Sequence, residues 1–466
     1  MKSSCVTKWG PQSPARPPRC LSHSLSPSFS AGFLGLSASL LLILALAFPV
    51  SAQSLRIYHI DVEQGDATLF VAPNGKTLLV DSGRNGDGRR IKAVMDRAGV
   101  TQIDFFVATH YHSDHYGGID DLVEDFGVHV LEPFDRGDKT FLPGSKLTEP
   151  TYVDYQRAVG EDARQLKRDT TIPLDSAMTV TCISSGGAVI GESNPTTGAD
   201  ENDMSVSLLI TLGTFRYFIG GDIEQTTEAK IAERDLVLDV DIYQANHHGS
   251  DTSSLPAFMT DMKPRVIIIS NGNRADYRHP RQSTLTFYAT LPGPPTVFQT
   301  NKYLKGGNGG NVPDAFIADP ETTDDDGTIL VTVDTAGGSY KVTYGTNSEH
   351  TFSVKATTGA SVVIESLLPN PAGDDTQLEE VTMRNKGGNA VSLSGWKLQD
   401  RSGQAWSLTN LGTLAPGQSK TIRRNGMAMS LNNSGDEVKL LDAADIVKDS
   451  FSYTSSTEGT AIQTGH

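Results

Sequence analysis

Cysteine is scarce: the chain of 466 residues has three, Cys5, Cys20 and Cys182. Cys5 and Cys20 fall in the first 52 residues, which carry Lys2, Lys8, Arg16 and Arg19 but no acid. These residues continue with the apolar run Phe33 to Phe48 and with Val50-Ser51-Ala52 before Gln53. A basic start, a short apolar run and small residues at its end form the pattern of a cleaved secretory leader. The run is shorter than the roughly 20 residues that span a bilayer and is closed by Pro49, which disfavours a retained anchor. Cleavage leaves Cys182 alone, so an intrachain disulfide is excluded from the mature protein. The length that remains suits two or three domains.

Positive charge is also short, with 39 Lys and Arg against 55 Asp and Glu, a formal charge of -16. Loss of the four leader bases takes it to -20. Such an exterior does not invite a tight grip on phosphate backbones, which needs a basic groove. It leaves open hydrolysis of nucleic acid at metal ions, which bring their own charge. No run after the leader is long and apolar enough for a transmembrane span. A secreted or periplasmic protein is therefore expected, with cell-surface association open. Gly306-Gly307-Asn308-Gly309-Gly310 lacks the lysine and helix of a phosphate loop. Asp324-Asp325-Asp326-Gly327 lacks the further ligands of a calcium loop and reads as a solvated turn.

Histidine is concentrated instead. Six of the eleven lie in Thr109-His110-Tyr111-His112-Ser113-Asp114-His115, in Asn246-His247-His248-Gly249-Ser250 and in Arg278-His279-Pro280. In extended backbone, residues two apart share a side, so His110 and His112 can grip one ion together. Asp114 and His115 follow as the chain turns and suit a second ion. Gly117-Gly118 lets the backbone pass close by, and Ile119 to Phe126 reads as a short helix closed by Gly127. The bland alternative is a His-rich surface loop. Borderline imidazole and hard carboxylate together favour two divalent ions, Zn2+ first and Mn2+ as the alternative.

His110-x-His112-x-Asp114-His115 resembles the signature of the metallo-β-lactamase superfamily, and other segments resemble its ComEC-type branch. His59-Ile60-Asp61-Val62-Glu63-Gln64-Gly65-Asp66 is similar to that branch's DVGQGD turn, with Glu63 in place of Gly. Leu78-Leu79-Val80-Asp81-Ser82-Gly83 and Phe218-Ile219-Gly220-Gly221-Asp222 resemble further motifs, as do Asn246 to Ser250 and the closing segment Ile269 to Pro280. The resemblance covers about residues 55 to 356 and implies an αββα sandwich. It implies that Asp222 bridges both ions, with His110 and His112 on one, and Asp114, His115 and His247 or His248 on the other. Asp81 would orient ligands from behind. The expectation places His247 on the metal and His248, with Asp114 and His279, in catalysis, although spacing does not separate His247 from His248. One departure is the usual additional histidine before the bridging Asp. Only His129 lies in that interval, in what reads as a strand, and Asn202, Asp203 or Ser205 can stand in its place.

Short β-rich runs alternate with helical ones, as in an α/β layered fold. Ile57 to Ile60, Thr68 to Val71 and Thr77 to Val80 read as strands, the last two joined at Asn74-Gly75. Helices are expected over Arg90 to Gly99 and Gln225 to Arg234. A hairpin over Val206 to Ile219 leads to Asp222, and the strand Asp241 to Ala245 leads to His247. Residues 133 to 200 read equally as substrate access and as ordinary packing.

Beyond residue 356 the character changes. Val362 to Glu365, Glu379 to Asn385, Leu393-Ser394-Gly395-Trp396-Lys397-Leu398, Leu414 to Gln418 and Asp436 to Leu440 resemble the lamin-tail domain, an all-β immunoglobulin-like sandwich. Alternating apolar residues and frequent turns fit a sandwich independently. Leu393 and Trp396 read as core. Lys420, Arg423 and Arg424 read as a solvated face, with a small anion patch as the alternative. The expected division is thus 1–52 leader, 53–356 hydrolase and 357–466 lamin-tail sandwich, the last binding a cell-surface or extracellular ligand.

A water held between two divalent ions becomes hydroxide near neutrality, and the same ions offset charge on a phosphoryl or carbonyl oxygen. The ComEC-type resemblance, with Arg274, Arg278 and His279, points to a secreted phosphodiesterase or nuclease acting through a metal-bound hydroxide on a phosphodiester or nucleic-acid substrate. The alternatives are a hydrolase of a small-molecule ester, lactone, β-lactam or thioester, which the acidic surface would suit, and a surface-binding protein with a vestigial site.

Overall fold

The computed structural model describes residues 54–137, 144, 146–193, 200–320, 326–334, 338–345, 348–355, 362–386, 391–415 and 418–464. The expected leader with Cys5 and Cys20, the boundary at 356/357, and Asp324, Asp325, Pro416 and Gly417 lie outside the described residues. No helix among the described residues is long and apolar enough to cross a membrane.

Apolar alternation decides the layers. Leu55 and Ile57, Leu78 and Val80, and Phe105 and Val107 point into one core, while Tyr58, Leu79 and Phe106, between or beside them, point into another. That period of two builds a nine-stranded sheet. From edge to edge its strands are Ser348–Ser353, Ser339–Tyr344, Ile329–Asp334, Leu55–His59, Thr68–Val71, Thr77–Val80, Gln102–Val107, His129–Asp135 and Arg164–Gln165. An eight-stranded sheet runs Ile317–Asp319, Thr296–Asn301, Val266–Ile269, Ile242–Gln244, Phe215–Ile219, Ser207–Leu212, Met178–Ser185 and Ala188–Val189. Val266 and Ile268 join the first core, so the two sheets pack face to face, while Ile267 and Ile269 turn outward. The outer faces are covered by Gly88–Ala98 on one side and by Gln225–Ala232, Pro256–Met262 and Gln282–Tyr288 on the other. The architecture is an αββα sandwich.

Helix Gly88–Ala98 buries Ile91, Val94, Met95 and Ala98, one stripe at helical spacing, and stops at Gly99, whose φ of 73° suits a residue without Cβ. The short helix expected over Ile119 to Phe126 is present, α-helical at residues 119 and 120 and widening into a π turn after them, with Gly127 behind it at φ 64°. Ser113–Tyr116 makes one α-turn and Asp121–Asp125 a π-helical turn. The cause is local anchoring. A Cβ on Gly118 would lie 2.3 Å from the Ser82 carbonyl oxygen, and the Asp121 carboxylate accepts the backbone N–H groups of Gly86 (2.7 Å) and Gly88 (3.2 Å).

Strand direction positions the site. Thr77–Val80 and Gln102–Val107 are parallel with Val80 opposite Val107, so Asp81 and Thr109 leave the sheet side by side. Phe215–Ile219, Ile242–Gln244 and Val266–Ile269 are also parallel, with Gln244 opposite Ile219 and Ile268. Asp222, His247 and Ser270 therefore follow three neighbouring strand ends, the usual place for a site in an open α/β sheet.

The described residues beyond 361 form two four-stranded sheets and a two-stranded one. Their core holds Leu393, Trp396, Leu398, Trp406 and Leu440. The Trp406 indole N–H donates to the Met429 carbonyl at 2.9 Å. Lys420 donates to the Leu411 and Thr413 carbonyls, Arg423 pairs with Glu380, and Arg424 with Glu379. These charges are engaged within the module.

Candidate metal centre

Asp81 ends its strand with φ 59°, buried, and both of its carboxylate oxygens face inward. Oδ1 accepts the Thr109 N–H at 2.8 Å, while Oδ2 accepts the Thr109 hydroxyl and lies 2.8 Å from Nδ1 of His115. A carboxylate on Nδ1 fixes the tautomer and turns Nε2 toward the centre. That Nε2 lies 3.2 Å from Oδ2 of Asp222 without the alignment of a hydrogen bond. Gly221, at φ 57°, brings Asp222 in: a Cβ there would stand 2.7 Å from the Thr109 hydroxyl, so the strand-end loops touch only because this residue is glycine.

His247 and His248 are both left-handed, with φ of 50° and 55°. His248 Nδ1 is 3.0 Å from the Ser270 carbonyl, to which it donates, leaving Nε2 3.8 Å from Oδ1 of Asp222. His247 turns the other way, with Nδ1 3.2 Å from Glu224 and 3.1 Å from the Thr252 hydroxyl, and Nε2 3.8 Å from Oδ2 of Asp222. His110 Nε2 lies 2.9 Å from His112 Nδ1 and 3.9 Å from Oδ2 of Asp222.

Two sets of side chains have ligand atoms within 4.8 Å of one another: Asp66, His115, Asp222 and His248, all buried, and His110, His112 and Asp222. Asp222 belongs to both. His115 Nε2, His248 Nε2 and Asp222 Oδ1 are buried polar atoms with no hydrogen-bond partner. Orphaned groups of this kind are costly unless something else binds them, and divalent cations fit these donors. The electrostatics agree. Burial would raise the Asp222 carboxyl, but His115, His248 and His247 hold it well below the carboxylate range. Burial would lower His115, but Asp222 and Asp81 hold it well above the imidazole range. Burial, then His115, press His110 well down. Carboxylates and imidazoles thus hold one another's charge in the cluster, and a cation bound there would compete with protons for the same atoms.

The other expected residues fall as follows. Asp114 is buried beside the cluster but outside both sets, its Oδ2 3.0 Å from Arg84. His279 is buried, its ring centre 5.1 Å from that of His247 and 6.1 Å, stacked, from that of His248. Burial, then His248 and His247, lower its pKa to about 2, so it is a neutral donor and acceptor. His129 is exposed and pairs with Gln102, at the opposite end of its strand from the cluster. In the interval segment, Asn202 donates to Glu224 at 3.2 Å, Asp203 Oδ1 accepts the N–H groups of Glu224 and Thr227, and the Ser205 hydroxyl accepts the Asp222 N–H. These three residues brace the loop of Asp222.

Asp66, which belongs to the first set, and Glu224 and Glu228, which hold the loop of His247 and His248, were not singled out from the sequence. Asp66 lay in a quoted motif with nothing to aim its carboxylate; Gln244 holds it by a 3.0 Å hydrogen bond across the sandwich. Glu228 is buried on a helix whose pattern gave no sign of it. It accepts from Asn246 (2.7 Å), Ser254 N (2.8 Å) and Leu255 N (2.6 Å), clamping the loop of both histidines, and burial raises its pKa to about 7. Residues 133–200 contain a packed network: Arg136 makes a bidentate pair with Glu201 (2.8 and 2.7 Å) over the Tyr111 ring, and Tyr111 and Tyr155 donate to Asp135.

The profile of the metallo-beta-lactamase superfamily matches residues 60–175, and that of the lamin tail domain residues 355–455. The chain is similar to ComE operon protein 3 of Bacillus subtilis, 22% identical over 264 residues, which are 52% of this chain and 32% of that one. It is similar to recombination protein 2 of Haemophilus influenzae, 27% identical over 261 residues, 55% of this chain and 29% of that one. The chain thus spans about a third of the length of these curated relatives. Among solved structures, the Zn2+-bound PqqB of Methylobacterium extorquens is 17% identical, with a TM-score of 0.33, covering 51% of this chain and 85% of that one.

Proposed function

We propose that this chain, an α/β metallo-β-lactamase-like sandwich with a metal-binding cluster that supports a metal-dependent hydrolase, followed by a lamin-tail β-sandwich, is a secreted phosphodiesterase that cleaves nucleic acid. The carrying observation is the guanidinium of Arg84. Its Nη2 donates to Asp114 (3.0 Å) and to the Tyr277 hydroxyl (3.2 Å) and its Nε to the Gln64 carbonyl (3.0 Å), which fixes the group at the edge of the cluster; Asp114 balances its charge, and Nη1 remains as a donor for a phosphoryl oxygen that a neutral ring substrate would not need. The name of one relative, recombination protein 2, agrees with a nucleic-acid substrate.

In this reading the residues would hold two divalent cations, Zn2+ or Mn2+: His110, His112 and Asp222 would serve one, and Asp66, His115, His248 and Asp222 the other. When bound, such ions lower the pKa of water and offset charge building on phosphoryl oxygen. The rest falls to side chains. Asp81 keeps His115 in the ligating tautomer. Glu224, gripped by Asn202 and Thr252, orients His247. His279, neutral and adjacent to His247, can donate a hydrogen bond to the departing oxygen.

A second reading, hydrolysis of a neutral lactone, β-lactam or thioester, is favoured by the formal charge of -16. Bis-p-nitrophenyl phosphate, single-stranded DNA and nitrocefin, each with Zn2+, Mn2+ or EDTA, separate the two. Metal-dependent cleavage of the first two is expected, and turnover of nitrocefin alone would overturn the phosphodiesterase reading. The C-terminal sandwich is assigned binding of a cell-surface or extracellular ligand.

A further inference from the structure

We infer that the wall formed by residues 273–278 and 302–307 seats the nucleotides flanking the scissile bond of a single-stranded nucleic acid; the inference rests on the phosphodiesterase reading. From Asn271 to Gly310 the chain has five basic residues, Arg274, Arg278, Arg281, Lys302 and Lys305, against one acid, Asp276. The chain as a whole has the opposite balance, 39 to 55. Arg281 lies 3.4 Å from Asp251, and Lys302 2.7 Å from Asp314. Arg274, Arg278 and Lys305 are exposed and form no ion pair among the described residues.

The fold puts these three cations together. Leu304 N–H donates to Asn273 Oδ1 at 2.8 Å, and a side chain at Gly307 would come within 3.4 Å of Arg278 Cδ, so the second segment lies directly against the first. The wall adjoins the cluster through His279, whose ring centre is 6.2 Å from that of Tyr277 and 5.1 Å from that of His247. Tyr277 is half-buried near two guanidiniums, Arg84 at 5.6 Å and Arg274 at 6.0 Å from its ring centre, with its hydroxyl accepting from Arg84. A half-buried aromatic ring beside exposed cations is the composition of a single-strand site, where bases stack and phosphates meet point charges. A substrate with one phosphate and no base would leave Tyr277, Arg278 and Lys305 idle. An extended strand uses all of them.

The test compares the full chain with R274A/R278A/K305A and with Y277A on two substrates: bis-p-nitrophenyl phosphate, and a single-stranded thymidylate oligonucleotide about twelve residues long, within the span of one such site. The triple variant is expected to raise KM for the oligonucleotide on the order of tenfold and to flatten the slope of log KM against log salt by about 2, for three phosphate contacts at roughly 0.7 each. Y277A is expected to raise it by about tenfold through lost stacking. Losses on bis-p-nitrophenyl phosphate should be several-fold smaller. Equal losses on both substrates, or none on the oligonucleotide, would overturn the inference. Fluorescence anisotropy with a labelled, cleavage-resistant phosphorothioate strand reads the wall without turnover. If neither substrate is cleaved by the parent, yet the strand binds and the triple variant loses it, the phosphodiesterase reading fails and the wall stands. Binding of inorganic polyphosphate as tight as that of the strand would overturn the assignment to nucleic acid.

Discussion

The two β-rich halves of this chain treat buried polar atoms in opposite ways. Among the described residues beyond 361, Tyr453 Oη is the one buried side-chain atom without a hydrogen-bond partner. Trp406, Asn385 and Asp436 all find partners there. In the sandwich before it such atoms are more numerous among the described residues: several stand around one edge, at Gln64, His115, Asn202, Asp222, Asn246, His248, Asn271 and His279, and others fall at His59, Tyr116, Tyr152, Arg216 and Tyr303. Both halves obey the same physics of desolvation, so the difference marks where the molecule awaits something other than itself. The C-terminal half is complete in its interior, and whatever it binds must meet its surface.

The contrast can be broken in order of effect. Asp222→Ala, which removes the carboxylate common to both sets, is expected to lower cleavage of bis-p-nitrophenyl phosphate on the order of a thousandfold or more and to empty both sites by elemental analysis. Retained metal with full activity would refute the shared-ligand assignment. Trp406→Ala should cost the C-terminal half about 3–5 kcal/mol, read as an earlier melting transition, while kcat on the same small substrate holds. A parallel loss of kcat would show that the halves are not independent in function. Asp66→Asn sharpens the site itself. Metal affinity should weaken roughly 10- to 100-fold at one of two sites by isothermal titration, and an unchanged isotherm would return that place to Asp114.

The smallest effect is one of pH. Burial holds His59, inside the sandwich, down to about 3, far below the 6.5 of an exposed imidazole. A depressed histidine contributes stability that is fully present above pH 6.5 and is lost progressively as pH falls toward 3. The melting temperature should fall over that window, and in His59→Leu the fall should be shallower, by on the order of a few °C. Parallel curves for the two proteins would assign the acid sensitivity to other groups.

Much of this was legible in the linear chain because it rests on local periodicity. The β-rich runs Thr68–Val71 and Thr77–Val80 about the Asn74-Gly75 turn, the helix holding Ile91, Val94 and Met95, and the spacing of His110, His112 and His115 each carry their own structural consequence. The remainder depends on contacts between distant segments. Asp66 is aimed by Gln244 and Asp114 is held by Arg84; nothing local distinguishes these two carboxylates. Glu228 looks like an ordinary charged helix residue, and only the return of the chain at Ser254 and Leu255 buries it. The π turn within the helix over Ile119 to Phe126 has the same origin, since Asp121 is anchored on a loop more than thirty residues earlier. His247 and His248 are neighbours in sequence, but the kinked loop sends their rings toward different partners.

That kink has a further cost. Two successive side-chain-bearing residues wound left-handedly oppose the natural handedness of an L-polypeptide, at roughly 1–2 kcal/mol apiece. Glycine at either position would relax the turn and make a sturdier, idle protein. Selection for durability alone would therefore erode this loop first, and thermostabilised descendants of the chain should be checked there before their catalysis is trusted.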